Sequence, residues 1–313
     1  YGYGRDLRID QYHYRPQVFS DRGLLAGVQV TPPAVMSLSP VDGVESEFTL
    51  QPAEVMLRFV ATVETLRKFG RIDLTSKGRP TKPFLTKLIK TLGWEAELEK
   101  AADTPLPQAT QFFFKLVQSA GLLQDPPASA GLGVGSRASA FSTTPYPTQA
   151  AAWIKGYRSL TRWMEYIPKG MYIEEESTSA FDKFNSMRAA LLMALAALPD
   201  ANAWYRLDDL SEGIYERIGS HFSLVYLHRF YPAYGTKPDQ VEEQRAAWRN
   251  ELHKSWREVE HPWITHAVTG PLFHLGLVAV GHVPGAKKTR PTVFRLTPLG
   301  RVALYDAFRP TDE

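Results

Sequence analysis

The sequence predicts a mainly α fold with small β-wings, an α+β architecture organised as about two domains. Three observations carry that prediction. Apolar residues recur at three- and four-residue spacing in several long windows, which is the helical period. The strand-like runs between them are short and bounded by Gly, Pro and Ser. At 313 residues and 44% hydrophobic content the chain can bury a substantial core, and domains typically run about 100–200 residues.

Residues 1–50 read as an irregular, strand-containing arm. Gly23-Leu24-Leu25-Ala26-Gly27-Val28-Gln29-Val30 is a candidate buried strand, ended by Thr31-Pro32-Pro33. The aromatic opening (Tyr1, Tyr3, Tyr12, Tyr14) with Arg5, Arg8 and Arg15 is a candidate docking arm; the plainer reading is an edge packed on its own domain.

From Gln51 the period becomes helical. Pro52 suits a first turn, and Val55, Phe59, Val63 and Leu66 share one face up to Phe69-Gly70. A short strand-like Ile72-Asp73-Leu74-Thr75 follows. Thr81 is the expected N-cap of a helix carrying Phe84, Leu85, Leu88, Ile89 and Leu92, stopped by Gly93. A third helix over 108–120 carries Phe112, Phe113, Leu116 and Val117 and ends at Gly121. Residues 125–144, rich in Pro, Gly and Ser, read as a long wing or an interdomain loop. The first folded unit is therefore assigned to 51–147.

The remainder, 148–313, begins with an amphipathic helix over 148–167. A strong helix over 181–198 is followed by a short strand at Trp204-Tyr205-Arg206-Leu207. Asp208 is the expected cap of a helix through Ile218. Residues 239–258 read as a charged helix with Trp248 and Trp256 on one side, a pair that, partly exposed, would suit a protein interface. Helix 264–275 ends at Gly276; strand Leu277–Val280, a basic turn over 283–292, strand Val293–Leu296 and a final helix opened by Thr297-Pro298 complete the chain.

Both halves thus share one order: helix, short strand, helix, helix, then two strands around a loop. That is the order of a winged helix, so the expectation is two winged-helix-like units with a helical insertion. The closing phrases Gly270-Pro-Leu-Phe-His-Leu-Gly-Leu-Val278 and Phe294-Arg-Leu-Thr-Pro-Leu-Gly-Arg301 carry a resemblance. So does Leu74-Thr-Ser-Lys-Gly-Arg-Pro80 before a basic helix. Together they resemble the tandem winged-helix regions associated with bacterial helicases, including those of phage-defence systems. The resemblance covers about 50–123 and 181–308, and it implies DNA binding, a helicase as partner protein, and antiviral defence. The long insertion between Ser220 and Trp256 and residues 1–50 depart from that pattern.

Charge distribution points the same way. Arg67 to Lys90 holds eight basic residues and one acid, Asp73; His282 to Arg301 holds five basic residues and no acid. These segments carry +12 of a net +3, leaving −9 on the rest. Each Lys or Arg that meets a phosphate releases condensed counterions, so the candidate nucleic-acid contacts are Arg71, Lys77, Arg79, Lys82, Lys87, Lys287, Lys288, Arg290 and Arg295. Lys77 and Arg79 lie in a turn leading to a helix N-terminus, where amides favour an anion. Lys287, Lys288 and Arg290 lie at a candidate wing tip. The alternative for such turns is a merely solvated face.

Other chemistry finds little support. There are no cysteines, which excludes disulfides, thiolate nucleophiles and Cys-based zinc sites. His253, His261, His266, His274 and His282 show no His-Glu-x-x-His spacing, so no metal is expected. Gly131-Leu-Gly-Val-Gly-Ser136 follows Pro-Pro rather than a strand and opens no expected helix, so it reads as a loop rather than a phosphate cradle. No Walker motif, nucleophile elbow or complete nuclease motif occurs; Pro199-Asp200, Pro238-Asp239 and Glu174-Glu175-Glu176 with Asp182 read as turns and a helix start. The expectation is a non-enzymatic protein without cofactors. Lacking a leader or an apolar run of about 18 residues, it is expected to be cytoplasmic and to have no membrane partner. The function expected is a double-stranded-DNA-binding module or subunit of a larger complex; the rival is a protein-interaction scaffold.

Overall fold

The computed structural model describes residues 36–75, 80–93, 109–124, 133–160, 163–166, 178–219, 224, 237–285 and 291–308. Strand β1 (Ser46–Phe48) leads into helix α1 (Pro52–Phe69). Gln51 accepts from the third helical amide while Glu54 returns a carboxylate oxygen to the Gln51 N–H at 2.8 Å, a reciprocal cap that fixes the first turn. After a bridge pairing Leu74 with Pro80 comes α2 (Lys82–Leu92). Thr81 caps it through its hydroxyl, and Gly93 closes it in the left-handed conformation that glycine adopts without strain.

Helix α3 (Ala109–Ser119) follows, then β2 (Leu123–Gln124) and β3 (Gly133–Val134), an antiparallel pair with Leu123 opposite Val134. The stretch expected to be loop up to Thr144 also contains α4 (Arg137–Ser142). It folds because Ala138 is buried and Phe141 packs on Phe59 and Trp153, ring centroids 5.4 and 6.5 Å apart. Helix α5 (Tyr146–Arg158) is shorter than the sequence predicts. The carbonyls of Leu160 and Trp163, beyond its end, accept from the Arg188 guanidinium instead of from a continuing helix.

Helix α6 (Thr178–Ala196) precedes β4 (Tyr205–Arg206) and α7 (Leu207–Ile214), which widens into a π turn over Tyr215–Gly219. Asp208 does not cap α7: Arg206 holds that position and Asp208 sits in the first turn, 3.5 Å from His261. In the π turn the Tyr215 ring lies where a Cβ on Gly219 would fall, 2.1 Å away, so only glycine fits. Helix α8 (Pro238–Glu258) forms the described part of the insertion. Helix α9 (Glu260–Ala267) starts earlier than expected and passes through a second π turn, Val268–Leu272. Strands β5 (Val278–His282) and β6 (Val293–Leu296) lead to α10 (Pro298–Phe308). Thr297 joins the last elements, donating to the Gly276 carbonyl at 2.6 Å and accepting from Gly300 N–H at 2.9 Å.

The four-stranded antiparallel sheet has the order β1-β5-β6-β4, with Tyr205 opposite Phe294 and Phe294 opposite Val280. Every position of β5 is buried. The described end of the N-terminal segment belongs to this sheet: Glu47 pairs with Gly281, and Met36 N–H donates to the Ala197 carbonyl. The candidate strand at 23–30 and the aromatic opening lie outside the described residues.

One hydrophobic cluster spans both halves, from Phe59 and Phe112 through Trp153 to Trp263, Leu272 and Phe294. It crosses the position near 147 where the sequence points to a boundary. Each such side chain contributes about 1.5–3 kcal/mol when withdrawn from water. The fold is therefore mainly helical with a small antiparallel sheet, an α+β arrangement.

Candidate functional site

Helix α2 separates its faces cleanly. At about 100° per residue, Lys82, Thr86, Lys90, Pro83 and Lys87 fall in that order across an arc of about 140°. Phe84 and Leu88 occupy the opposite side and Ile89 the flank next to Lys82, and all three are buried. The outer arc holds three exposed lysines and no acid. Lys82, Lys87 and Lys90 line an open cleft of about 580 Å³ with Pro83, Thr86 and Thr91. On the other side of the Pro83–Lys87 ridge lies a second cleft, about 310 Å³, lined by Phe69, Arg71, Asp73, Pro83, Phe84 and Lys87.

Phe69 shapes the second cleft. Its ring meets Phe84 edge-on at 5.7 Å, and the Lys87 ammonium stands 4.3 Å over its centroid. That cation–π contact orients the ammonium while the residue stays exposed at the surface. Among the described residues Arg71, Lys82 and Lys90 form no ion pair. The helix amides contribute less than the sequence leads one to expect. Pro83 has no N–H, Phe84 N–H is taken by the Thr81 hydroxyl, and Leu85 N–H by the Thr81 carbonyl. The lysine side chains, rather than the helix N-terminus, present the positive charge.

The structure therefore brings Arg71, Lys82 and Lys87 together, and adds Lys90, whose i+8 relation to Lys82 was the signal for it. Arg295 stands elsewhere, on β6. Its guanidinium contacts Glu47 at 2.6 Å and lies 5.1 Å over the Trp204 ring, so it is already committed within the molecule. Lys77, Arg79, Lys287, Lys288 and Arg290 lie outside the described residues.

The third helix of each half is enclosed. In α3, Phe112, Phe113, Phe114, Leu116 and Val117 are all buried, and in α9 so are Trp263, Ile264 and Ala267. Trp256 is buried too and donates to the Ser211 hydroxyl at 3.0 Å, so Trp248 and Trp256 do not form the exposed pair expected of an interface.

Two polar clusters lie outside the α2 face. In the first, Glu212 receives His253 Nε2 at 2.7 Å and Arg257 Nε at 3.0 Å, and His253 stacks on Tyr215 at 4.5 Å. Burial alone would raise the Glu212 carboxyl, but the hydrogen bonds from His253 and Arg257 outweigh it and hold it below its ordinary value. In the second, Arg188 and Glu165 form a buried network with Trp263, whose indole donates to Glu165 at 2.9 Å. Burial, then the Glu165 charge, pushes the neighbouring Tyr157 hydroxyl well above its ordinary value. Sequence reading missed both, because their partners lie 23 to 98 residues apart.

His274 lies among Phe112, Phe113 and Phe273, and no group of three His, Asp or Glu that could hold a metal ion comes together among the described residues. Of the Gly-rich segment, Gly133 and Val134 form β3, and the short α4 opens after Ser136, contrary to expectation. Glu174, Glu175 and Glu176 lie outside the described residues. No helix among the described residues is long and apolar enough to cross a membrane. Compared with known proteins, the chain matches no protein-family model, no curated protein and no solved structure.

Proposed function

We propose that this chain is a non-catalytic nucleic-acid-binding module that grips the phosphates of double-stranded DNA through the basic face of α2. The observation that carries the reading is the acid-free arc of Lys82, Lys87 and Lys90 beside Arg71. Such a surface supplies sequence-independent binding through counterion release. The sheet order supports a winged-helix assignment for the C-terminal half: β6 lies between β4 and β5, with β4 entering between the first and second helices. With α3 and α9 enclosed, neither third helix is available to enter a groove, so base reading is not part of the proposal.

The module would work inside a larger cytoplasmic assembly, with a helicase of a defence system as the partner that the sequence resemblance favours. The enclosed third helices also favour a second reading, a scaffold whose winged-helix-like units hold partner proteins. Fluorescence anisotropy with two duplexes of unrelated sequence at 50 and 150 mM salt separates the two. The DNA reading expects both duplexes to bind with equal affinity and to weaken steeply with salt. Absence of binding at both salt concentrations favours the scaffold.

A further inference from the structure

Helix α1 is apolar on two sides. Its core side buries Val55, Phe59, Val63 and Leu66. At about 100° per residue, Met56, Val60, Ala53, Leu57 and Ala61 fall in that order across an outer arc of about 140°. Ala53, Leu57 and Ala61 are exposed, and Met56 and Val60 half-buried. Leu57, at 68%, is the most exposed large apolar side chain among the described residues. Glu54 and Arg58, the only charges from Pro52 to Ala61, stand beyond the Ala61 edge of that arc. The outer face of α8 is the contrast: Glu243, Lys254 and Arg257 cover it, as suits a helix facing water. A helix apolar on both sides is ordinarily buried on both, and an apolar surface left uncovered marks a contact site.

The charges at the two ends of the arc identify what covers it. Glu54 lies seven residues before Ala61 and Lys68 seven after it, so the three form one row along the helix. Lys68 is exposed and forms no ion pair among the described residues. The Gln51 cap uses one Glu54 oxygen and leaves the other. We propose that the outer face of α1 is a homodimer contact, in which two copies of this chain pair antiparallel about a two-fold axis at Ala61. That arrangement sets each Glu54 opposite Lys68 of the second copy. It also lays each Leu57 over Ala61 and the stems of Glu64 and Lys68 of the second copy, and Ala61 on the axis lets the helices approach closely. A two-fold interface has to be complementary to itself, and the row Glu54, Ala61, Lys68 meets that condition; a parallel pairing would set like charges side by side. One helix pair buries less than the roughly 1,000 Å² of a standard interface, so the dimer is weak and reversible. The contact does not depend on the nucleic-acid reading.

The test is sedimentation velocity of the full chain between about 10 and 300 µM, where a weak dimer forms. The wild-type mass is expected to rise from that of one chain towards that of two. Leu57→Glu should weaken the association at least about tenfold, as expected for a central anchor of a small interface. Its circular dichroism spectrum should be unchanged, because the side chain is exposed. The chain has no cysteine, so one introduced thiol reports the contact independently. Ala61→Cys, oxidised over the same concentrations, should give a disulfide-linked dimer, whereas Ala247→Cys on the exposed face of α8 should not. A wild-type chain that stays monomeric at about 300 µM overturns the proposal. So does a dimer that Leu57→Glu leaves intact, or equal cross-linking of the Ala61→Cys and Ala247→Cys variants.

Discussion

The Arg188 guanidinium meets the Glu165 carboxylate at 2.6 Å with neither side chain exposed to solvent. The pair is completed on every side. A second Arg188 nitrogen reaches Glu165 at 3.2 Å, the carbonyls of Leu160 and Trp163 and the side chain of Asn185 accept from the guanidinium, and the Trp263 indole fills the other carboxylate oxygen. Two charges withdrawn from water are tolerated only with this degree of satisfaction. The network ties the chain after α5 to α6 and α9, and so joins the two halves of the sequence through polar as well as apolar contacts.

Arg188→Met should accordingly cost about 3–5 kcal/mol of unfolding free energy, because Glu165 is left charged and unpaired in the interior. Adding Glu165→Leu should recover most of that loss. Urea denaturation of the two single variants and the double variant checks this. A loss under about 1 kcal/mol for Arg188→Met would show that the pair is not sealed from water.

His274 sets an acid limit on the fold. Burial first, then the Arg58 charge, pushes its pKa down to about 4, and its buried Nδ1 has no hydrogen-bond partner among the described residues. The unfolded chain takes up a proton below about pH 6.5 while the folded chain does not, so stability falls as pH drops from about 6.5 towards 4. The loss is at most about 3 kcal/mol, since an edge of the residue still reaches the surface. His274→Phe, flanked as it is by Phe112, Phe113 and Phe273, should flatten that part of the pH profile in urea titrations at pH 7 and pH 5. An unchanged slope would assign the acid sensitivity to other groups.

Gly300 is confined by backbone. A Cβ built there would lie 1.9 Å from the Leu277 carbonyl oxygen, so Gly300→Ala should force α10 away from the start of β5. The expected cost is about 3 kcal/mol or more. Gly270, where a Cβ meets nothing within 4 Å, provides the contrast: Gly270→Ala should shift stability by less than about 1 kcal/mol. Thermal melts of the two variants, side by side, decide it.

Local structure was legible where the signal was local. Thr81 and Gly93 bracket α2 as their chemistry requires, and the periodic faces of α1, α3 and α6 lie inward. What escaped depends on partners distant in sequence. No pattern around Ser46–Phe48 announces that β1 would add to β5, more than 200 residues later. Asp208 has the right residue type for a cap, but the extended backbone that β4 imposes on Arg206 places the start of α7 two residues too early for it. For the site, the charge run from Arg67 to Lys90 is plain in the sequence. The division of that run into two clefts by Pro83 and Lys87, and the seat of Asp73 in one of them, appear only once α1 and α2 pack together.

The most direct test of the phosphate-gripping role proposed for α2 is the salt dependence of duplex affinity for the wild-type chain and for a Lys82→Gln, Lys87→Gln, Lys90→Gln variant. Glutamine keeps most of each stem and loses only the charge, which for Lys87 includes the exposed ammonium contact with Phe69, so the fold should be retained. Each phosphate contact contributes about 0.9 to the slope of log K against log salt. The prediction is that the variant loses about two to three units of slope and weakens on every duplex sequence alike. A variant that binds with the slope and affinity of the wild type, or a wild-type chain that binds no duplex at 50 mM salt, would contradict the account.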